Sequence, residues 1–161
     1  MYFKPTQPTE EYLTEFEKHL REICPNIFKD YTPEKLREYV LSEFFNGTLK
    51  HCWIMTDDNK KVGLISYQTY EWDHMSYICE FAIFKPYRRK SYGTAAVSHF
   101  ISSMHLINVN HVFFDIMKTN TDAVKFWNYI LKSHDIEILD PSELVRKGFP
   151  DDKCYTYYWR F

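Results

Sequence analysis

Apolar residues recur along the chain in two rhythms, and the switch between them sets out the elements. Over residues 9–24, Leu13, Phe16, Leu20 and Ile23 fall at three–four spacing, which predicts a helix with one buried face, closed by Pro25-Asn26. Thr32-Pro33-Glu34 opens a second helix with a capping hydroxyl, a proline in the first turn and an acid beside the positive helix end. Its inward positions are Leu36, Val40 and Phe44, and Asn46-Gly47 ends it. Extended segments follow at residues 51–56, 62–70 and 77–84, the first two separated by the turn-type cluster Asp57-Asp58-Asn59-Lys60. Helical spacing returns over 94–108, with Val97, Phe100, Ile101, Met104 and Ile107 on one side, and again over 122–131, with Ala123, Phe126, Trp127 and Ile130 inward. Between those helices residues 111–117 form a short apolar strand, and residues 136–139 and 154–161 read as two closing strands. Residues 140–153 are a polar connection with a helical turn expected at 142–146, and a short strand at 2–4 opens the chain. The order predicts an α/β fold with a mixed sheet, since hairpins give antiparallel pairs and helical crossovers give parallel ones.

Length and composition narrow the class. At 161 residues, with no internal repeat and no dividing linker, the chain is expected to be a single domain over 1–161, large enough to fold without a disulfide or a metal. An apolar share of 45% with 26% charged residues excludes disordered and collagen-like chains. Only four glycines are present, where about 7% usage would give roughly eleven, so a glycine at a turn is informative. A net charge of −2 leaves no basic field to hold nucleic acid non-specifically. The stretch without Asp, Glu, Lys or Arg over 91–114 carries three histidines and four serines, so it reads as helix plus strand rather than a membrane span. The first residues lack the apolar core of a signal peptide, and Cys24, Cys52, Cys79 and Cys154 form no C-x-x-C pair. Free thiols in a cytoplasmic protein are expected. The histidines show no metal-ligand spacing, and His19, His99 and His105 are placed on helix surfaces.

The segment that carries chemistry is Glu80-Phe81-Ala82-Ile83-Phe84-Lys85-Pro86-Tyr87-Arg88-Arg89-Lys90-Ser91-Tyr92-Gly93-Thr94. It runs strand, basic turn, helix start. Backbone N–H groups at a helix N-terminus converge on one spot and the helix dipole adds positive character there, so this order makes an anion cradle. Ser91 and Gly93 allow close backbone approach to a pyrophosphate, and Arg88, Arg89 and Lys90 add charge around it. A solvated basic turn is the plain alternative.

The run Arg88-Arg89-Lys90-Ser91-Tyr92-Gly93, preceded by Tyr87, resembles the acyl-CoA loop (motif A, Arg/Gln-x-x-Gly-x-Gly/Ala) of the GCN5-related N-acetyltransferase (GNAT) superfamily. Asn120-Thr121-Asp122-Ala123 followed by Phe126-Trp127 resembles motif B, at the spacing of one helix and one strand from the loop. A bacterial subset of predicted acetyltransferases with Tyr-Arg-Arg-Lys and Phe-Trp is the most similar. The resemblance extends to the element order and implies the GNAT fold, a mixed, mostly antiparallel central sheet of six to seven strands flanked by about four helices. The chain departs from the pattern at three places. Ser91 replaces the first motif glycine, Trp127 stands where many members place a thiolate-protonating tyrosine, and Lys132-Ser133-His134 replaces the usual Gly-Phe.

The resemblance implies direct transfer of an acetyl group from acetyl-CoA to a primary amine, on a small molecule or a peptide, without a covalent enzyme intermediate and without a metal. By the family pattern the N–H groups of Arg89, Lys90, Ser91, Tyr92, Gly93 and Thr94 hold the pyrophosphate. Phe81 and Ile83 lie along the pantetheine and the acyl carbonyl, and Asn120 bonds the pantetheine arm or fixes the loop. Glu80, a carboxylate between Cys79 and Phe81 in an apolar strand, is the candidate general base, with partial burial expected to raise its pKa; a solvated or cation-paired glutamate is the alternative. Glu71, Asp73, His74 and Asp115 are further candidates, and Tyr92 or water is left to protonate the thiolate. Glu71 and Asp73, beside Tyr70, Trp72 and Tyr77, suit a cationic amine, or form an ordinary acidic turn. Two other functions compete. One is a non-catalytic acyl-CoA-binding module, which Trp127 and Ser91 keep open; the other is phosphate binding of a nucleic acid by residues 85–90, against which the net charge argues. Neither a nucleic-acid nor a membrane partner is expected, and the chain is a monomer or a homodimer.

Overall fold

The computed structural model describes residues 1–45, 47–134, 136–140 and 153–161. The helical turn expected at 142–146 and the Asn46 helix stop lie outside the described residues.

Seven strands and five helices are present among the described residues. In chain order they are β1 (Tyr2–Pro5), α1 (Glu10–Ile23), α2 (Pro25–Phe28), α3 (Pro33–Phe44), β2 (Lys50–Met55), β3 (Lys61–Tyr70), β4 (Met75–Ile83), α4 (Tyr92–His105), β5 (His111–Met117), α5 (Thr121–Ser133), β6 (Glu137–Ile138) and β7 (Cys154–Arg160). The strands are ordered β1-β2-β3-β4-β5-β7-β6. β1/β2, β2/β3, β5/β7 and β6/β7 are antiparallel, and β4/β5 is parallel, the pairing a helical crossover through α4 requires. The expected α/β class with a mixed, mostly antiparallel sheet is what the chain adopts. No helix among the described residues is long and apolar enough to cross a membrane.

The chain forms two compact units, Met1–Gln68 with Glu80–Gly93, and Thr69–Cys79 with Thr94–Phe161. In the first unit, Tyr12, Leu13, Phe16 and Leu20 of α1 and Leu36 and Val40 of α3 bury themselves with Trp53, Met55, Leu64 and Ala82 of the strands. The second of these helices starts where Thr32 predicts, with Lys35 N–H donating to Thr32 Oγ1 at 3.2 Å, and α1 is capped in the same way by Thr9, whose Oγ1 accepts from Tyr12 N–H at 3.3 Å. In the second unit, Phe114 of β5, Trp127 of α5 and Trp159 of β7 pack ring against ring, with centroid separations of 4.3–5.5 Å.

Most boundaries shift by a residue or two from the sequence expectation, and larger differences occur at α2, α4, β6 and His19. Pro25 does not simply stop α1; its fixed φ suits a first helical position and it opens the single turn α2. Helix α4 begins at Tyr92 rather than Thr94 and ends at His105, so Ile107 lies past the helix and is exposed. β6 shrinks to two exposed residues. His19 is not on a helix surface: it is buried on the inner face of α1 beside Leu20.

Candidate functional site

The first unit holds Glu80, Phe81, Ile83 and the loop Arg88–Gly93 together; Glu71, Asp73, Thr94 and Asn120 belong to the second.

Glu80 lies in β4, where strand alternation turns it toward α1. Its Oε2 is 2.7 Å from Nε2 of His19, and both side chains are largely buried, at 13% and 8% exposure. The carboxylate is thus neither solvated nor alone in apolar surroundings; it has a titratable partner that spacing did not single out. The signal was there: Tyr12, Phe16, His19 and Ile23 share one face at four–three–four spacing. Nδ1 of His19 is buried and has no hydrogen-bond partner among the described residues.

Beyond Ile83 the chain makes a 3-10 turn over Lys85–Tyr87 and then the loop. Arg89 and Ser91 both take left-handed backbone, at φ 60° and 62°. The glycine missing from position 91 is missing where the conformation favours one, and serine adopts it at a cost. Gly93 is already in the first turn of α4, as are Tyr92 and Thr94. Left-handed backbone at 89 and 91 leads directly into the first turn of a 14-residue helix at Tyr92, and a helix N-terminus entered through such turns is a place where backbone N–H groups can receive phosphate.

The side chains of the loop are tied down. Arg88 donates Nε–H to the Ile83 carbonyl at 2.7 Å and ion-pairs with Glu22 of α1, which Lys85 approaches to 3.8 Å. Burial works against ionisation of Glu22, but the Arg88 hydrogen bond and the charges of Arg88 and Lys85 hold its carboxyl below the usual carboxylate range. Lys90 Nζ donates to the Pro86 carbonyl at 2.8 Å. Tyr87 and Tyr92 meet edge to face at 5.9 Å between centroids. A cleft of about 670 Å³ opens between α1 and the end of β4, lined by Lys18, His19, Glu22, Phe84, Lys85 and Arg88 among others. These features fit an acyl-CoA thioester, which needs an anion cradle beside an apolar strand and a base. Among the described residues no group of three or more His, Cys, Asp or Glu side chains is placed to hold a metal ion.

In the second unit Asn120 caps α5, its Oδ1 accepting from Ala123 N–H at 3.2 Å. Trp127 is buried against Phe114 and Trp159, so the residue at the family's tyrosine position serves the core. Glu71 and Asp73 flank Trp72 in a 3-10 turn, all three exposed, and His74, at φ 51°, donates Nδ1–H to the Asn108 carbonyl at 2.8 Å. Asp115 accepts from Thr156 Oγ1 at 2.6 Å and is committed to β7.

The model of the acetyltransferase (GNAT) family matches residues 13–129, most of the chain including the loop and Asn120. The chain belongs to the GNAT acetyltransferase family. It is accordingly an N-acetyltransferase, and GNAT enzymes draw their acyl group from acetyl-CoA or another acyl-CoA. Solved structures share the fold from end to end. Tetrahymena GCN5 is 14% identical with a TM-score of 0.66, covering 100% of this chain and 97% of that one. A GNAT-family acetyltransferase from Staphylococcus aureus Mu50 is 16% identical with a TM-score of 0.62, covering 98% of each chain. A spermidine N-acetyltransferase chimera from Vibrio cholerae is 10% identical, TM-score 0.62, covering 98% of this chain and 93% of that one. No curated protein sequence matches the chain significantly. The seven-stranded GNAT sheet with its helices is therefore present, while the acceptor is not given by any of these likenesses.

Proposed function

We propose that this GNAT member transfers an acetyl group from acetyl-CoA directly to a primary amine, with Glu80 as the general base and the Arg88–Thr94 segment as the pyrophosphate cradle. The whole of residues 1–161 is taken as one acetyltransferase domain, since β4 supplies residues to both units. The observation that carries the reading is the location of Glu80 in the same compact unit as the loop, on the strand that leads straight into it, with its carboxylate largely buried.

In this reading the N–H groups of Arg89 through Thr94 bind the pyrophosphate, and those of Phe81 and Ile83 hold the pantetheine and polarise the thioester carbonyl. Glu80 takes a proton from the amine; the nitrogen lone pair attacks the carbonyl carbon; the carbon–sulfur bond then breaks and the thiolate leaves with a proton. Trp127 supplies no acid for that last step, its indole being buried in the core. Tyr92, at the mouth of the loop, or water gives the proton. Asn120, which caps α5, is assigned by the family pattern to the pantetheine arm, and the exposed Glu71, Trp72 and Asp73 have the charge and the ring to attract a cationic amine.

The test is release of free CoA thiol from acetyl-CoA with a panel of primary amines, including spermidine and a lysine peptide, for the wild type and Glu80→Gln. Loss of about 10²-fold or more in kcat with unchanged acetyl-CoA affinity supports the base assignment. Unaltered turnover near neutral pH removes it.

A further inference from the structure

Among the described residues of the first unit, Nδ1 of His19 is the one buried side-chain nitrogen or oxygen without a hydrogen-bond partner. Ser66, Tyr12 and His51 bond one another and the Phe44 carbonyl. His19 differs. One ring nitrogen is spent on Glu80 at 2.7 Å, and the other, Nδ1, is buried with no partner among the described residues. A buried polar atom left unsatisfied costs about 1–3 kcal/mol, and an unpartnered N–H is worse placed than an unpartnered lone pair. In the neutral ring the geometry therefore favours the proton on Nε2, where Glu80 accepts it, with Nδ1 as the bare lone pair. His19 also lines the cleft that runs to Lys85 and Arg88.

We propose that His19 is the positioning residue of Glu80: its Nε2–H holds Oε2, fixes the carboxylate rotamer, and leaves Oε1 to take the amine proton. This rests on the reading of Glu80 as the base. A carboxylate on a flexible side chain gains as a base from being held, because its geometry in the transition state is then already in place. In the step, the proton passes from the amine nitrogen to Oε1, the Nε2–H···Oε2 bond persists throughout, and His19 neither gains nor loses a proton.

The experiment is a double-mutant cycle in kcat with acetyl-CoA and the faster of spermidine and a lysine peptide. It is joined by a nitrogen NMR measurement of the histidine rings in the intact protein. His19→Ala is expected to lower kcat by about tenfold or more while moving the KM for acetyl-CoA less than twofold. His19→Gln, whose side-chain amide can donate from the place of Nε2, is expected to restore most of the rate. In a Glu80→Gln background, His19→Ala should cost nothing further. The NMR measurement should find the Nε2–H tautomer at His19, with its signal displaced by Glu80→Gln. If Glu80→Gln turns over like the wild type, the base assignment falls and this role with it. If Glu80→Gln is slow but His19→Ala is not, the role of His19 alone falls. Losses that add in the double mutant, or no rescue by His19→Gln, make His19 a structural tie between α1 and β4. Should neither amine turn over, a protonated Nδ1 in the wild type overturns the proposal and an Nε2–H displaced by Glu80→Gln upholds it.

Discussion

Arg88 in the loop and Glu22 near the end of α1 form an ion pair, with Lys85 3.8 Å from the same carboxylate. A phosphate drawn to Arg88 must share it with Glu22. Partly exposed pairs of this kind are worth about 0–1 kcal/mol. Glu22→Gln is accordingly expected to tighten acetyl-CoA binding by up to about fivefold, measured by calorimetry at low salt, with the gain shrinking as salt rises. Weaker binding in the variant would mean that Glu22 serves to place Arg88 rather than to compete for it.

Ser91 holds a left-handed backbone at φ 62°. Ser91→Gly is expected to be neutral or to stabilise by up to about 1 kcal/mol, whereas Ser91→Val, branched at Cβ, should destabilise by about 1–2 kcal/mol. Thermal unfolding of the two variants separates a strained loop from a relaxed one.

Gly63 of β3 faces the Ala82 carbonyl so closely that a Cβ there would lie 2.1 Å from the oxygen. Backbone cannot yield as a side chain end can. Gly63→Ala is expected to cost roughly 1–3 kcal/mol in urea melts and also to weaken acetyl-CoA binding, since Ala82 lies between Phe81 and Ile83. A variant with wild-type affinity would show that β4 can shift without disturbing the site.

His51 is buried in contact with Ser66 and the Phe44 carbonyl, stacked on Phe45 at 3.9 Å. Burial lowers its pKa from 6.5, against the Phe44 hydrogen bond, which raises it. The unfolded chain then binds more protons here than the folded one, so this contribution to stability is fully present above the unfolded value and is lost as pH falls through 6.5 toward the lower native value. Subtracting the stability of His51→Gln from that of the wild type across pH 5–8 should isolate that slope; a flat difference would contradict it.

Much of the fold is legible in the sequence. Strand β5 spans the residues its apolar run marked, and Thr32 caps the helix it was expected to cap, because these are local signals that nothing in the packing opposes. The loop could be read as an anion cradle from its residues, but its shape could not: that Arg89 and Ser91 carry the left-handed turns is decided by how the chain gets from Pro86 to α4. His19 was missed because a histidine among apolar residues reads as a surface position until something buried needs its N–H, and Glu80 lies 61 residues away. Trp127 was visible as a departure from the family pattern, and its burial against Phe114 and Trp159 supplies the reason.

In the proposed function the segment from β4 through the start of α4 binds acetyl-CoA. Thermal unfolding with and without acetyl-CoA tests it most directly, in the wild type and in an Arg88→Ala, Gly93→Asp double variant that removes one cation and puts an anion in the cradle. At about 100 times the dissociation constant the ligand should stabilise the wild type by roughly 2.7 kcal/mol and the variant hardly at all. Equal stabilisation of both proteins, or none of the wild type, would contradict the account.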